Sequence, residues 1–298
     1  MELRSFAGDW IVSSETIEVR SPANKNEIIG HMPICSDEHL NQVVEQALPA
    51  QDNWSKKSIT YRIDCIQNSI GNIENNSNEL LKILKKEQGM LESVINREIQ
   101  ESINQIKHTL RVAPDELDSL RHEDANFQAT VRKVPYGIVG AIVPWNAPIS
   151  LATAKVIPAL LAGNAVIIKP SPRAPIGVTY FLELLRQSLP LGLICVLHGL
   201  ELLGEAIIDH PMIKKISFTG STEVGRKVAQ SAARNLKSVH LELGGNDAAI
   251  VCPDADIDST ASNIIESAFR RSGQFCYATK RVYVHSSIEQ KFSQALHK

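Results

Sequence analysis

From residue 138 onward, short apolar runs alternate with segments whose apolar residues repeat every three or four positions. A short run that is apolar throughout is typical of a parallel strand buried on both faces. Strands that alternate with helices predict βαβ units and a doubly wound parallel sheet. We therefore predict an α/β fold with strands at 138–143, 165–168, 193–197, 213–218 and 238–243, and helices at 150–161, 176–187, 201–208 and 222–235.

The first part of the chain shows a different pattern. Residues 9–32 alternate weakly between turn signals, which predicts short strands at the edge of a sheet. Residues 37–112 carry four helical apolar stripes, for which we predict a layer of helices that covers the sheet. The helical period is lost at 113–128, which predicts a connection, and 128–134 alternates like an exposed strand.

Length and charge limit the class of protein. A chain of 298 residues can form two domains with a sizeable core. The formal net charge of −2 argues against a general nucleic-acid or membrane-surface binder, since such proteins are usually basic. No apolar run reaches the ~18 residues of a membrane span, and the first residues lack the layout of a signal peptide. We therefore expect a cytoplasmic protein.

The cysteines predict free thiols rather than disulfides. Their number, five, is odd and no Cys-x-x-Cys pair occurs, so we expect neither a disulfide framework nor a zinc site. Cys195 and Cys252 lie inside apolar runs, where a cysteine usually acts as a small buried hydrophobe. Cys276 differs, because Ser272, Gly273 and other small or polar residues surround it. It is the candidate for a reactive thiol.

A carboxylate precedes this thiol by about one strand and one helix. Glu242 ends an apolar strand and is followed by Gly244 and Gly245, while Cys276 follows the flexible Gly273. A base and a thiol at element ends, with glycines that leave space, fit thiol-based acyl chemistry. The apolar residues before Glu242 predict an apolar setting for its carboxylate, which suits a general base.

The ends of four predicted strands carry unusual residues. Each segment alone is as often an ordinary turn, since short motifs match frequently by chance. Because the carboxyl ends of parallel strands meet at one edge of a sheet, where ligands of doubly wound folds bind, we expect the four to form one site. They are Pro144-Trp145-Asn146, Lys169-Pro170-Ser171, Thr219-Gly220-Ser221-Thr222-Glu223-Val224-Gly225 and Glu242-Leu243-Gly244-Gly245.

Together with Gly273-Gln274-Phe275-Cys276, these segments resemble the motifs of the NAD(P)-dependent aldehyde dehydrogenase superfamily, in the same order. The resemblance extends from Trp10 to Arg281. It implies a cofactor domain with a doubly wound parallel sheet and an incomplete second α/β domain. The implied organisation is a dinucleotide-binding domain at 1–112 and 135–245, a bridging or oligomerisation segment at 113–134, and the N-terminal part of a catalytic domain at 246–298.

The resemblance also implies NAD or NADP as the cofactor. The glycine-containing segment that opens a helix after a strand would present backbone N–H groups to the pyrophosphate. Lys169 would face the adenosine ribose or a 2′-phosphate. Trp145 would line the cleft, although a core position is about equally common for such a residue. The cofactor-binding residues expected from the resemblance are Trp145, Lys169, Ser171, Gly204, Gly220, Ser221 and Gly225.

The catalytic residues implied by the resemblance are Cys276, Glu242 and Asn146. The Cys276 thiolate would attack a small aldehyde, and the Asn146 amide would stabilise the oxyanion, a contribution of about 3 kcal/mol per donor. After hydride transfer, Glu242 would activate the water that hydrolyses the thioester. The implied reaction is the NAD(P)-dependent oxidation of an aldehyde to a carboxylic acid.

The chain departs from the family pattern in several places. It stops at Lys298, where family members continue, so we expect exposed apolar surface and little or no turnover by the chain alone. For the same reason, the homo-dimers or tetramers typical of the family are doubtful for this chain. Pro172 stands where a glutamate often binds ribose hydroxyls, and Arg173 lies beside it, so we expect NADP to be tolerated. Arg271 stands where an asparagine is usual.

Two other functions remain open. A catalytically inactive remnant would bind nucleotide or a partner chain without turnover, and the early end of the chain favours this reading. A thiol esterase would use Cys276 and Glu242 without a cofactor, but it leaves the strand-end segments unexplained. Glu242 also distinguishes a hydrolytic aldehyde dehydrogenase from a CoA-acylating one, which does not depend on this base.

Overall fold

The computed structural model describes residues 3–7, 10–11, 13–124 and 127–297. The chain forms two compact units, Met1–Leu241 and Glu242–Lys298. Each unit has apolar residues buried in a core of its own. Within the described ranges, no helix combines the length and the apolar character needed to cross a membrane.

The first unit opens with short strands and then helices, as predicted, but two of the four strands pair with each other outside the main sheet rather than at its edge. The helices bury the apolar stripes of the sequence, and Leu80 and Leu84 are fully enclosed. The last three of these helices pack on one another and on helices of the main sheet, whereas the first packs mainly on strands of that sheet. The elements are β1 (Ser5–Phe6), β2 (Trp10–Ile11), β3 (Thr16–Arg20), β4 (Ile28–Pro33), α1 (Asp37–Ser55), α2 (Ile59–Asn75), α3 (Ser77–Gln88) and α4 (Glu92–Leu117).

Helix α4 runs further than predicted. The apolar period ends at Ala113, yet the helix continues past Pro114 to Leu117. The residues from Pro114 to Glu116 are exposed, so no apolar stripe marks the last turn in the sequence. An antiparallel hairpin follows, formed by β5 (Leu120–Glu123) and β6 (Gln128–Val131), so the strand predicted at 128–134 is shorter than expected.

The rest of the first unit contains the predicted alternation of strands and helices. Its elements are β7 (Ile138–Ile142), α5 (Pro148–Leu161), β8 (Ala165–Lys169), α6 (Pro175–Arg186), β9 (Ile194–Val196), α7 (Glu201–Asp209), β10 (Ile213–Gly220), α8 (Thr222–Arg234) and β11 (Ser238–Leu243). The strand order is β11-β10-β7-β8-β9-β1-β2, and the pairs from β10 to β9 are parallel. Helices α5 and α6 pack with α2, α3 and α4, whereas α7 packs with α1 and α8. The doubly wound α/β fold is therefore confirmed.

The strand order reverses between β7 and β10. From β7 the chain adds β8 and β9 on one side, and it then returns to add β10 and β11 on the other side. Parallel strands at such a reversal leave a crevice at their carboxyl ends, because their connections run in opposite directions. Ile142 of β7 is aligned with Phe218 of β10 and with Lys169 of β8, so these residues mark the floor of the crevice.

The second unit is smaller. Its strands β12 (Asp247–Val251) and β13 (Thr279–Val284) are parallel, and its helices α9 (Ile257–Phe269) and α10 (Glu289–Leu296) pack on each other. Val251, Ala261 and Phe292 form its buried core. Ile250 and Tyr283, which pair across the two strands, are 78% and 54% exposed. This is the exposed apolar surface that the sequence predicts for the segment.

Candidate functional site

A pocket of about 500 Å³ opens at the crevice, between helices α7 and α8. Phe218, Val224 and Val228 supply apolar walls, and Lys169 supplies a cation at the strand ends. Val224 belongs to the first turn of α8, so a helix N-terminus lies at the pocket wall. Apolar walls, a cation and a helix N-terminus suit a ligand that combines flat rings with anionic groups.

The two helical rims of the pocket carry opposite charges. Glu201, Glu205 and Asp209 lie one turn apart along α7, and Lys227 and Arg234 lie along α8. Residues four or seven apart share one face of a helix, so each rim presents a stripe of one sign. A bound anion is therefore attracted towards the α8 side of the pocket.

Lys169 ends β8 and is the buried cation of the pocket. Only 6% of its surface is exposed, and burial lowers the pKa of its ammonium group to about 8. Within the described part of the chain, the ammonium nitrogen of Lys169 donates no hydrogen bond. A buried ammonium group without a protein acceptor is suited to bind acceptor groups of a ligand.

Gly204 lies on the α7 side of the same pocket. A Cβ placed on it would lie 3.9 Å from Cδ and Cε of Lys169, which is an ordinary contact distance. Glycine inside a helix is less stable than alanine by about 1 kcal/mol, so the helix itself does not favour this residue. The absent side chain keeps the pocket open beside Lys169.

The glycine-containing segment forms the junction of β10 and α8. Gly220 is the last residue of β10, and Ser221 is the N-cap of α8, where its hydroxyl accepts the N–H of Val224 at 3.2 Å. Gly225 is buried and donates its N–H to the Ser221 carbonyl oxygen at 2.9 Å. These residues therefore form a strand-to-helix junction of the kind that the resemblance implies.

The loops after β7 and β8 contact each other. The guanidinium carbon of Arg173 lies 5.9 Å from the centre of the Trp145 ring. The Ser171 hydroxyl accepts the N–H of Arg173 at 3.3 Å, and Ser171, Trp145 and Asn146 are half-buried. Trp145, Asn146, Ser171 and Arg173 are not among the residues that line the pocket, whereas Lys169 is. The predicted roles of Trp145, Asn146 and Ser171 therefore stay predictions.

A buried histidine that the motifs do not mark lies close to Lys169. His198 follows β9 and is fully buried, with its Nε2 3.2 Å from the Thr179 hydroxyl. Its Nδ1 has no hydrogen-bond partner within the described ranges. Burial, with a smaller contribution from the Lys169 charge, lowers the pKa of His198 to about 3. The ring is therefore neutral at physiological pH and adds no repulsion to the neighbouring ammonium group.

The second unit contains both Glu242 and Cys276. Parallel pairing aligns Asp247 with Thr279, so the segments that carry Glu242 and Cys276 enter the two strands side by side. A Cβ on Gly245 would lie only 3.2 Å from the Cys276 carbonyl oxygen. Glycine at this position therefore permits the close approach of the two segments. Cys276 is half-buried and its thiol is free.

Two expectations about burial are wrong. The apolar residues before Glu242 predict an apolar setting, but the Glu242 side chain is exposed. β11 is an edge strand of the main sheet, and every residue from Ser238 to Leu243 is exposed or half-buried, so the apolar residues before Glu242 do not enclose its side chain. Cys252 is also exposed, because it opens a turn in which its carbonyl oxygen accepts the N–H of Ala255. Cys195 is buried, as predicted.

The loop before Cys276 has an unusual backbone. Arg271, Ser272 and Gly273 have φ angles of 52°, 57° and 75° and so lie in the left-handed region. Contact between Cβ and the backbone disfavours most side chains there, and asparagine is among the better tolerated ones. Arg271 stands where the resemblance implies asparagine, so the departure from the family pattern places a less suitable residue at a left-handed position.

The helical layer holds two buried glutamates that the motifs do not mark. Glu87 of α3 and Glu98 of α4 are 3% and 2% exposed. Each accepts backbone N–H groups from the first turn of a helix that follows a strand-end loop. Their signal in the sequence is a glutamate on an apolar stripe, three residues after Leu84 and three residues after Ile95.

A buried lysine is a further residue outside the motifs. Lys155 of α5 is 7% exposed, and its ammonium group donates to the Ser217 hydroxyl at 3.1 Å. The bond ties α5 to β10, one of the two strands that form the crevice. Its signal in the sequence is a lysine inside the apolar helical run 150–161.

Comparisons with known proteins agree with the motifs. The aldehyde dehydrogenase family matches residues 10–298. A probable aldehyde dehydrogenase of a Pseudomonas species is 37% identical over 296 residues, which are 98% of this chain and 59% of that protein. The succinate-semialdehyde dehydrogenase (NADP+) of Escherichia coli strain K12 is 30% identical over 294 residues, which are 97% of this chain and 61% of that protein.

The fold is likewise similar to solved structures. The crystal structure of an NADP-dependent glyceraldehyde-3-phosphate dehydrogenase from Bacillus halodurans C-125, complexed with NADP, matches with a TM-score of 0.94 and 31% identity. The match covers 99% of this chain and 64% of that chain. This chain spans about three fifths of the length of these relatives.

Proposed function

The chain belongs to the aldehyde dehydrogenase family, and on that basis we propose that it contributes the nucleotide pocket and the nucleophile for NAD(P)-dependent oxidation of an aldehyde to a carboxylic acid. The observation that carries the proposal is the pocket at the strand-order reversal, with the buried cation Lys169 at its strand ends. Ligands of doubly wound folds bind at this place. The Escherichia coli relative is named for an aldehyde substrate and for NADP+.

The pocket fits a nicotinamide nucleotide. In the proposal, Lys169 and Ser171 bind the hydroxyls or the phosphate of the adenosine ribose, and the first turn of α8 faces the pyrophosphate. Val224 and Val228 offer apolar surface to a flat base, and Gly204 leaves space for it. A bound nucleotide would supply the hydride acceptor for the oxidation of the substrate carbon.

The proposal includes NADP as well as NAD. Pro172 stands where a carboxylate would repel a 2′-phosphate, and the chain carries no acid at that position. Arg173 packs over the Trp145 ring, so its charge lies in the loop beside the strand end. Lys169 then supplies the charge inside the pocket, while Arg173 adds attraction from outside it.

The thiol of Cys276 is the proposed nucleophile. As a thiolate it forms a bond to the aldehyde carbon, and loss of hydride from that carbon leaves a thioester. Glu242 takes a proton from the water that attacks the thioester, and the carbon–sulfur bond breaks to release the acid and the thiolate. The proposed role of Asn146, donation of a hydrogen bond to the oxyanion, is supported by its motif.

The proposal extends to assembly and location. Leu120 and Val131 pair across the β5–β6 hairpin and are 64% and 59% exposed. Exposed apolar residues on a hairpin with open edges suit pairing with a second copy, so we propose that any homo-dimer or tetramer forms through this hairpin. The five free cysteines support a reducing, cytoplasmic location.

Nucleotide titration tests the pocket. Lys169→Met removes the buried cation and should weaken NADP binding at least about tenfold, because the ligand loses a charge-assisted partner. Lys82→Met is the matched control, since Lys82 is exposed on α3 and pairs with Glu79 at the surface. Absence of NAD and NADP binding by the unmodified chain would contradict the proposal.

A single-turnover measurement tests the chemistry. With NADP and an excess of aldehyde, the unmodified chain should give a burst of NADPH. Cys276→Ala should abolish the burst. Glu242→Gln should keep the burst but release the acid more slowly. Cys252→Ala is the control, because Cys252 is an exposed thiol of the same unit. A burst that survives in Cys276→Ala would exclude Cys276 as the nucleophile.

Nucleotide binding without turnover is a second candidate function. The exposed position of Glu242 favours it, since a carboxylate that is open to solvent does not hold one water molecule in a fixed position for attack. Nucleotide binding without an NADPH burst would support this function. A thiol esterase would instead hydrolyse a nitrophenyl ester in the absence of nucleotide, at a rate that depends on Cys276.

A further inference from the structure

The last turn of α3 caps the helix that follows the Lys169 loop. Glu87 accepts the backbone N–H of Ile176 at 2.5 Å through Oε1 and that of Gly177 at 2.9 Å through Oε2. Both donors lie in the first turn of α6, which has Ala174 as its N-cap and no side-chain cap of its own. Glu87 therefore satisfies from another helix the N–H groups that a local cap would satisfy.

The adjacent Gln88 reaches the loop after β7. Its side-chain amide donates to the Trp145 carbonyl oxygen at 3.1 Å. Gly89 ends α3 with a left-handed φ of 63°, and its N–H bonds to the Lys85 carbonyl oxygen at 3.1 Å. Because the helix ends here, two consecutive residues present their side chains to two different strand-end loops.

Close packing holds α3 against α6. A Cβ on Gly177 would lie 2.4 Å from Cδ2 of the fully buried Leu84 and 3.1 Å from Oε2 of Glu87. Glycine at position 177 is therefore required for the approach of the two helices. The two loops also meet directly, where Arg173 lies over the Trp145 ring.

A buried carboxylate is an unfavourable way to cap a helix. Burial raises the pKa of Glu87 to about 7, although the two N–H donors act in the opposite direction. A serine at the N-cap would accept a hydrogen bond from the same turn without the burial of a charge. What Glu87 adds, and a local cap cannot add, is a bond between α6 and the helix end that also holds Trp145.

We propose that Glu87 and Gln88 are positioning residues that fix the spacing between the loop after β7 and the loop after β8. That spacing sets where Trp145 and Lys169 stand relative to each other, and therefore the width of the nucleotide site. The inference rests on the proposed function, since these loops carry its predicted cofactor residues. Loss of the Glu87 bonds should weaken nucleotide affinity beyond any effect on folding.

Glu87→Gln tests the inference in the full chain. Glutamine offers one acceptor oxygen, so one of the two N–H groups of α6 then faces an amide donor. We expect NADP binding to weaken about tenfold in a titration, because a buried donor loses its partner next to the ligand loop. Glu92→Gln is the matched control, since Glu92 is exposed and pairs with Lys85 at the surface; it should bind NADP like the unmodified chain.

The double variant Glu87→Gln/Ala174→Ser separates positioning from stability. Serine at position 174 restores a local cap, so the unfolding midpoint should recover. If Glu87 positions the loops, NADP affinity stays weak in the double variant. Recovery of affinity together with the midpoint, or unchanged affinity in Glu87→Gln, would overturn the inference.

Hydrogen exchange distinguishes failure of this inference from failure of the proposed function. Amide exchange at 145–147 should rise in Glu87→Gln and in the double variant, although residue 87 does not bond to that loop. Gln88→Ala should show the same rise and serves in place of Glu87→Gln if that variant does not fold. This exchange pattern in a chain that binds no nucleotide would support positioning and contradict the proposed function. Unchanged exchange at 145–147 would overturn positioning.

Discussion

The Oε1 oxygen of Glu98 accepts the backbone N–H of Ile149 at 3.0 Å and joins α4 to the first turn of α5. The same oxygen accepts the N–H of Ser150 at 3.3 Å. Helix α5 has Ala147 as its N-cap and no side-chain cap of its own. Because Asn146 directly precedes this N-cap, the predicted oxyanion donor stands at a helix start that a second helix holds in place.

The acceptor oxygen of Glu98 should contribute more to the free energy of unfolding than the charge of its carboxylate. We expect Glu98→Ala to lower the free energy of unfolding by about 2–3 kcal/mol, because two buried N–H groups lose their acceptor. Glu98→Gln should lower it by less than about 1 kcal/mol, since one oxygen makes both bonds and glutamine keeps an oxygen. Urea unfolding measures both, with Glu92→Ala as an exposed control on the same helix. Equal losses in the two Glu98 variants would show that charge dominates.

NADP affinity should fall as the pH rises through about 8. Burial lowers the pKa of Lys169 to about 8, so the free pocket loses this positive charge in that range. A bound 2′-phosphate favours the charged form, so binding at about pH 8 to 9 should take up a proton. Titration calorimetry in two buffers of different ionisation enthalpy measures the uptake, and Lys169→Met should remove it. Proton uptake that persists in Lys169→Met would assign it to another group.

The size of the residue at position 204 should control how much space the pocket offers to NADP. Gly204→Ala should raise the free energy of unfolding by up to about 1 kcal/mol and leave NADP binding nearly unchanged, because the added Cβ makes an ordinary contact with Lys169. Gly204→Leu should weaken NADP binding at least about tenfold, since the larger side chain fills the space. Gly71→Leu is the control, as Gly71 lies in α2 with open space around it. Wild-type affinity in Gly204→Leu would place the ligand elsewhere.

His198 should make the first unit less stable as the pH falls below about 6.5, whereas Glu87, whose pKa is raised by burial to about 7, acts in the opposite direction over part of this range. Burial lowers the pKa of His198 to about 3, whereas a histidine in the unfolded chain titrates at about 6.5. Between these values the unfolded chain binds one proton more, so the stability is present above the unfolded pKa and is lost towards the folded one, by ~1.4 kcal/mol per pH unit. On acidification, His198→Gln should therefore lose less stability than the unmodified chain in urea unfolding at several pH values. The exposed His31→Gln is the control, and an unchanged slope in His198→Gln would exclude His198 as the cause.

Glycine in the left-handed loop before Cys276 should stabilise the second unit. Ser272→Gly should raise the free energy of unfolding of the second unit by up to about 1 kcal/mol, because glycine adopts a φ of 57° without a Cβ contact. The thermal unfolding midpoint of this unit should rise accordingly. Ser262→Gly, at an exposed position inside α9, should lower the midpoint, since glycine weakens a helix by about 0.5–1 kcal/mol. A loss of stability in both variants would contradict the left-handed conformation of Ser272.

Local patterns predict the α/β part of the chain to within a few residues at each boundary. Strand β8 begins at Ala165 and helix α8 at Thr222, where the sequence predicts them. These boundaries follow from nearby signals, namely the apolar runs, the turn residues between them and the N-cap Ser221. Helix α4 is the exception, because its last turn around Pro114 is exposed and lacks an apolar stripe.

The site is predicted only in part. The strand-end motifs lead to Lys169, and the family resemblance adds Gly204; the structure places both in one pocket. The motifs do not lead to His198 or Glu87, because no residue beside them in the sequence marks their role. Glu87 caps α6 through hydrogen bonds from Ile176 and Gly177, which lie 89 and 90 positions further along the chain.

The sequence by itself determined the order of strands and helices and the residues at the strand ends. These features depend on a residue and its neighbours along the chain, which the sequence displays directly. Only the tertiary structure decided which polar groups are buried. Glu242 is exposed because it lies on the edge strand β11, in which no residue is buried, and Glu87 is buried because α3 packs on α6. Burial depends on every element that packs around a side chain, and a pattern along one segment does not contain those elements.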